Sequence, residues 1–251
     1  MKKCHEIDYK IIGEESGMGA AEITLDPGEI VVSESGAMLW MDSCIEMSVH
    51  LGDGSNPKGG LLSSLFSAGK RMVAGESAVV THFKNIGNKR GSVVFGAPTL
   101  GTMFGLDLND VGGAIYLQRG AYIAAAYGTH ITVAFAGGIS GAFFGGEGLI
   151  FQKLVGDDKV IFQAGGTLIQ RDIGDGETLI VDSGSLVGYT ENIEFSAKVS
   201  GGIGNMLFSG EGLFNSQVKG VNGGGTVILQ TMPFSRLCNA IGQSLNIKNE
   251  N

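Results

Sequence analysis

Four histidines, three cysteines and, among the glutamates that follow a glycine, Glu76, Glu147 and Glu211 are the residues of this chain whose types could carry chemistry. A metal centre of the histidine and carboxylate kind needs two or three imidazoles converging with an acid. His5, His50, His82 and His130 contain no His-x-His pair, so each reads as a structural or surface residue. Cys4, Cys44 and Cys238 are odd in number and share no C-x-x-C spacing, which reads as reduced thiols rather than a metal knuckle or a nucleophile. The glutamates are more suggestive. Glu76, Glu147 and Glu211 each follow a glycine, in Gly75-Glu76-Ser77, Gly146-Glu147-Gly148 and Gly210-Glu211-Gly212. A carboxylate in that setting accepts nearby backbone N–H bonds and fixes a turn. The alternative is a shared cation site, if the three corners are equivalent.

Hydrolase and nucleotide signatures are missing. There is no Gly-x-Ser-x-Gly elbow and no Gly-x4-Gly-Lys-Ser/Thr loop, and Gly223-Gly224-Gly225 lacks the following helix that would hold an anion. No catalytic, cofactor or metal residue is assigned, and the chain is not expected to be an enzyme.

The elements that must position these residues repeat along the chain. Leu25-Asp26-Pro27-Gly28 with Gly36, Leu117-Gln118-Arg119-Gly120 with Gly128, and Ile173-Gly174-Asp175-Gly176 with Gly184 share a glycine pair eight positions apart. Glycine spacing alone is weak in a chain with 43 glycines among 251 residues. The alignment of Ser35–Met47 with Ser183–Phe195 is stronger, because it keeps Ser, Gly, Ile and Glu and matches apolar to apolar at further positions. Each copy runs from the glycine pair to a Gly-Glu corner. Between corners stand β-branched runs such as Glu29-Ile30-Val31-Val32, Ser92-Val93-Val94-Phe95 and Thr226-Val227-Ile228-Leu229. Such runs bounded by glycine read as many short strands, with glycine supplying the positive φ of the corners. The expected fold is all-β, a single domain over 1–251 with internal repeats at about 16–104, 108–167 and 168–232.

Within that frame an opening hairpin is expected over residues 5–24, around Gly13–Gly17. Phe151–Val155 and Lys159–Gln163, joined by Gly156-Asp157-Asp158, read as a second hairpin. Two helices are expected. One, at about 58–73, is an insertion in the first copy with an apolar stripe through Leu61, Leu65 and Met72; the other, at about 235–246, carries Leu237, Cys238, Ile241 and Leu245 on one side.

A formal net charge of −8 repels phosphate backbones and anionic surfaces, so nucleic acid is not an expected partner. Residues 120–146 carry no Asp, Glu, Lys or Arg, long enough to cross a bilayer. His130, Ser140 and the interspersed glycines favour buried strands instead. Met1-Lys2-Lys3 is followed by Cys4-His5-Glu6, with no apolar core of a signal peptide, so the expectation is a cytoplasmic protein. A membrane-surface role for the 58–73 helix is a lesser reading.

The order Leu-x-Pro-Gly-Glu (25–29), Glu-Ser-Gly-Ala-Met (34–38), Gly-Glu-Ser (75–77), Gly-Gly-Glu-Gly-Leu (145–149), Val-Asp-Ser-Gly (181–184) and Gly-Glu-Gly-Leu (210–213) resembles the altered-inheritance-of-mitochondria protein 24 family over residues 7–232. The resemblance implies a β-sandwich like that of the tryptophan RNA-binding attenuator protein, a short relative of the double-stranded β-helix. It also implies bacterial members without an assigned reaction, and a mitochondrial member linked to inner-membrane organisation. It brings no catalytic residue. The leading functional expectation is a homo-oligomeric scaffold or interaction module; a metal- or small-ligand-binding protein using the corner glutamates is the alternative.

Overall fold

The structure, a computed structural model, describes residues 6–51, 79–136, 149–199 and 214–245. The expected helix at 58–73 and the corner residues Glu76, Glu147 and Glu211 lie outside the described residues, as do His5 and Cys4.

The chain opens with the hairpin β1 (Asp8–Ile12) and β2 (Ala20–Leu25), paired from Asp8 opposite Thr24 to Ile12 opposite Ala20. Gly13 and Gly17, at φ 72° and 65°, bracket the short 3-10 turn between them. There follow β3 (Ile30–Glu34), β4 (Met38–Met41), β5 (Ile45–Leu51), β6 (Val79–Asn85) and β7 (Gly91–Gly96). The middle of the chain forms β8 (Thr102–Asp107), β9 (Ala114–Gln118), β10 (Tyr122–Ala126), β11 (His130–Ala136), β12 (Leu149–Val155) and β13 (Lys159–Ala164). Then come β14 (Leu168–Ile173), β15 (Thr178–Asp182), β16 (Leu186–Thr190), β17 (Ile193–Val199), β18 (Phe214–Gly220), β19 (Gly225–Gln230) and one helix, α1 (Phe234–Ser244).

These strands make four antiparallel sheets: β1-β2-β7-β4, β5-β6-β3-β10-β13-β8, β11-β12-β9-β16-β19-β14 and β15-β18-β17. Three buried clusters glue successive sheets together. Ile23 and Phe95 of the first sheet meet Phe83, Ile123 and Ile161 of the second. Val32, Tyr122 and Phe162 of the second meet Leu117, Leu154 and Ile228 of the third. Phe151, Tyr189 and Val227 of the third meet Val181 and Val218 of the fourth. The inner strands therefore bury both faces: every residue of β10 and of β16 is buried. That is why their sequences, Tyr-Ile-Ala-Ala-Ala and Leu-Val-Gly-Tyr-Thr, do not alternate in polarity.

The same pairing scheme recurs three times. β2 with β7, β8 with β13 and β14 with β19 form one kind of pair; β3 with β6, β9 with β12 and β15 with β18 form another. The two six-stranded sheets are each welded from two such groups, at seams where β3 meets β10 and β9 meets β16.

The topology corrects two sequence expectations. Lys159–Ala164 does not form a hairpin with Leu149–Val155; β12 lies in the third sheet and β13 in the second, so Gly156-Asp157-Asp158 carries the chain across a sandwich. None of these three residues adopts positive φ, which the tight two-residue hairpin turns require. The second glycine pair also lies one unit earlier than its spacing suggested. Gly112, two residues before β9, occupies the place that Gly28 holds before β3 and Gly176 before β15, with φ of 80°, 88° and 75°. Gly120 is thus the second glycine of its pair, and Gly128 has no part in it.

Two of those corners use a carboxylate as a clamp. Glu29 accepts the Asp26 N–H at 2.6 Å and Glu177 accepts the Gly174 N–H at 2.9 Å. At Glu177 that bond, helped by Arg171, holds the carboxyl below the usual range.

Candidate functional site

Residues 120–126 and 130–136, within the uncharged stretch, are a seam corner and two strands, and among the described residues no helix is long and apolar enough to cross a membrane. Two of the histidines do come together. His82 on β6 is buried and stacks on His50 of β5, ring centroids 4.0 Å apart, with Tyr127 edge-on to His82 at 5.4 Å. Ser48 Oγ lies 2.9 Å from His50 Nε2. Because the strands pair Ser48 with His82, the two imidazoles are diagonal neighbours on one face, which sequence spacing could not show. His130 lies at the start of β11, in the third sheet rather than the second. No group of three or more His, Cys, Asp or Glu able to hold a metal occurs among the described residues. Cys44 and Cys238 are unpaired thiols.

The polar interior concentrates at the seams. Tyr122, on β10, is fully buried and donates its hydroxyl to Val32 O at 2.9 Å, tying the strand to its seam partner β3. Burial, with Glu34 nearby, pushes its phenol well above the usual range, so it serves as a permanent donor. Glu34 accepts from Gln152 Nε2 at 3.2 Å across to the third sheet. Burial raises the Glu34 carboxyl, and Gln152 and Arg119 oppose that rise. At the next seam Tyr116 and Tyr189 stack at 4.8 Å, with Phe151 edge-on to Tyr189.

An open cleft of about 410 Å³ lies where residues 98–100, the 118–121 corner and the start of α1 meet. Leu100, Arg119, Gln163, Gln230, Pro233 and Phe234 are among its walls. Gln163 donates to Gly120 O at 2.9 Å and Gln230 donates to Gly184 O at 2.8 Å, so these amides brace the corners. Gln163 Oε1 is buried without a partner. Such a lining can hold a small polar molecule, but it offers no nucleophile beside a base.

Exposed apolar side chains also stand at two sheet edges. β4 borders the first sheet and β15 the fourth. β4 reads Met-Leu-Trp-Met, yet Leu39 is 62% and Trp40 47% exposed; on β15, Ile180 is 56% exposed. Large apolar side chains on edge strands, each with one side left open, are a template for another strand. Sequence reasoning missed this site, although the signal was present. The aligned segment 183–195 gives a buried strand, and its counterpart at 35–47 holds the chain's one tryptophan.

The family description Mitochondrial biogenesis AIM24 matches residues 9–232. The chain belongs to that family. It is 25% identical over 233 residues to an uncharacterised protein of Streptococcus pyogenes serotype M6, covering 89% of this chain and 86% of that one. The AIM24 chain also superposes on a structural-genomics crystal structure of another Streptococcus pyogenes protein, with a TM-score of 0.73, 19% identity, and coverage of 95% of this chain and 100% of that one. That likeness establishes the all-β fold. Neither relative's name assigns an activity to which these residues could be matched.

Proposed function

We propose that this AIM24 protein is a non-enzymatic scaffold, built as an internal threefold repeat, that works by associating with further copies of itself. The observation that carries the reading is the exposed apolar edge at β4 and β15, where Leu39, Trp40 and Ile180 stand in water on strands whose counterparts are buried. Unpaired Cys44 and Cys238 agree with a reducing, cytoplasmic setting, and the acidic balance with protein rather than nucleic-acid partners. Light scattering on the purified protein at micromolar concentration tests it: a mass of two or more chains is expected, and the mass of one chain overturns the reading.

A second reading, a small-ligand-binding protein, is favoured by the cleft beside Gln163 and its unpartnered Oε1. Metabolite-mixture thermal shift measurements test this alternative, which fails if no compound raises the melting temperature.

A further inference from the structure

The two finished seams share one register. In the first, Ala124 faces Ser33, Ala125 faces Val32 and Ala126 faces Val31. In the second, Gly188 faces Leu117, Tyr189 faces Tyr116 and Thr190 faces Ile115. Both seams start just past a bulge, between Tyr122 and Ala124 in β10 and between Leu186 and Gly188 in β16. β4 has the same bulge against β7, between Met38 and Trp40. Trp40 thus stands where Ala124 and Gly188 stand.

The other half of a seam exists on β15. Val181 faces Ser216 of β18 just as Ser33 faces Thr81 of β6 and Leu117 faces Gln152 of β12. β4 and β15 are therefore the two halves of a third seam of the same kind. In this chain they are not paired: they border the first and fourth sheets, with the two six-stranded sheets packed between those layers. Exposure follows from the missing partner. Leu39 occupies the place of Ile123 and Val187, which are buried, and Ile180 occupies the place of buried Val32.

We infer that β4 of one chain pairs antiparallel with β15 of a second copy, with Trp40 opposite Val181 and Met41 opposite Ile180. The product is a seven-stranded sheet in the order β17-β18-β15-β4-β7-β2-β1, completing the series of welded sheets already present within the chain. Leu39 and Trp40 then cover the Phe151–Val218 core of the neighbour, and Ile180 covers the neighbour's first sandwich. Such a contact is head to tail, so it builds a ring if the rotation closes and a filament if it does not. This inference rests on the self-association reading above and adds the strands and the register.

The test uses the full chain with Cys4, Cys44 and Cys238 replaced by Ser. Chains carrying Met41→Cys and Ile180→Cys are mixed and mildly oxidised. Facing residues of an antiparallel pair have Cα atoms about 4.5–5.5 Å apart, within reach of a disulfide. The mixture should give a two-chain disulfide band on the order of tenfold stronger than either chain alone, since pairing lifts the local thiol concentration towards the millimolar range. In parallel, Leu39→Asp and Ile180→Asp, at positions already exposed in the single chain, should each reduce the wild-type mass to that of one chain while circular dichroism stays unchanged. An assembly that survives both substitutions without the mixed disulfide overturns the edge contact and leaves self-association standing. A wild-type protein of single-chain mass overturns both. A chain carrying both cysteines that closes the bond within itself overturns the second copy as the occupant.

Discussion

Gly188→Ala tests how tightly the seams are made. Gly188 lies on β16 at the seam with β9, with φ outside the left-handed region, so any penalty comes from space and not from torsion. An added Cβ would stand 2.5 Å from Tyr116 O and 2.8 Å from Leu117 Cδ2. Leu117 is fully buried and Tyr116 O belongs to the partner backbone, so neither can swing away. Restoring an ordinary contact means parting the strands by about 0.5–1 Å, an overpacking strain of about 1–3 kcal/mol. The stiffer unfolded chain returns about 0.4–1 kcal/mol. The net loss of about 1–2 kcal/mol lowers the melting temperature by roughly 2–8 °C for a chain of this size. Gly174→Ala is the control, because the nearest atom to its added Cβ is Glu177 Oε2 at 3.5 Å and its φ is likewise ordinary. It should melt at or slightly above the wild type. Calorimetry on the three proteins decides: if Gly188→Ala and Gly174→Ala melt together, the seam has slack and the reasoning fails.

Phe151→Ala removes a fully buried ring that packs edge-on against Tyr189 and Phe195, and should cost about 3–5 kcal/mol in urea unfolding; a loss under about 1 kcal/mol would mean the third core collapses to fill the hole. Tyr122→Phe deletes the bond to Val32 O and should cost about 1 kcal/mol, with no effect on the protein's secondary structure by circular dichroism. Glu34→Gln should raise the melting temperature at neutral pH. Its carboxyl is raised above 4.5 by burial, so the charged form weakens the native state at high pH, and the wild type regains stability as the pH falls through the folded-state value. The gap between the two proteins should therefore narrow towards pH 4.5, and a gap that widens on acidification would contradict the burial argument.

The local grammar was legible in the sequence, and its long-range pairing was not. Short β-branched runs between glycines gave the strands, and Gly13 and Gly17 marked the opening turn correctly. The segment Ser35–Met47 matched Ser183–Phe195 because both build a bulged strand against the same kind of partner. What failed depended on which strand lies across. Lys159–Ala164 follows a short glycine turn and looks like the return arm of a hairpin, yet its partners are β8 and β10, because burial on both faces lets a strand join either layer. The second glycine pair slipped by eight residues because Gly112, Gly120 and Gly128 are evenly spaced, and only the pairing of β9 with β12 and β16 selects among them. The exposed edge at Trp40 was hidden for the same reason: an apolar strand looks alike whether or not a neighbour covers it.

The seams also set a timetable for the nascent chain. Val32 receives its bond from Tyr122, a residue 90 positions further along. At a synthesis rate of about 5–20 residues per second, β3 leaves the ribosome roughly 5–20 s before the strand that covers its edge exists. For that interval Val31 and Val32, which water barely reaches in the finished protein, border an open ladder of backbone donors and acceptors. An architecture that shares its sheets between successive units gains a continuous interior, and its period of greatest vulnerability to misassociation falls during translation, before the last seam can close.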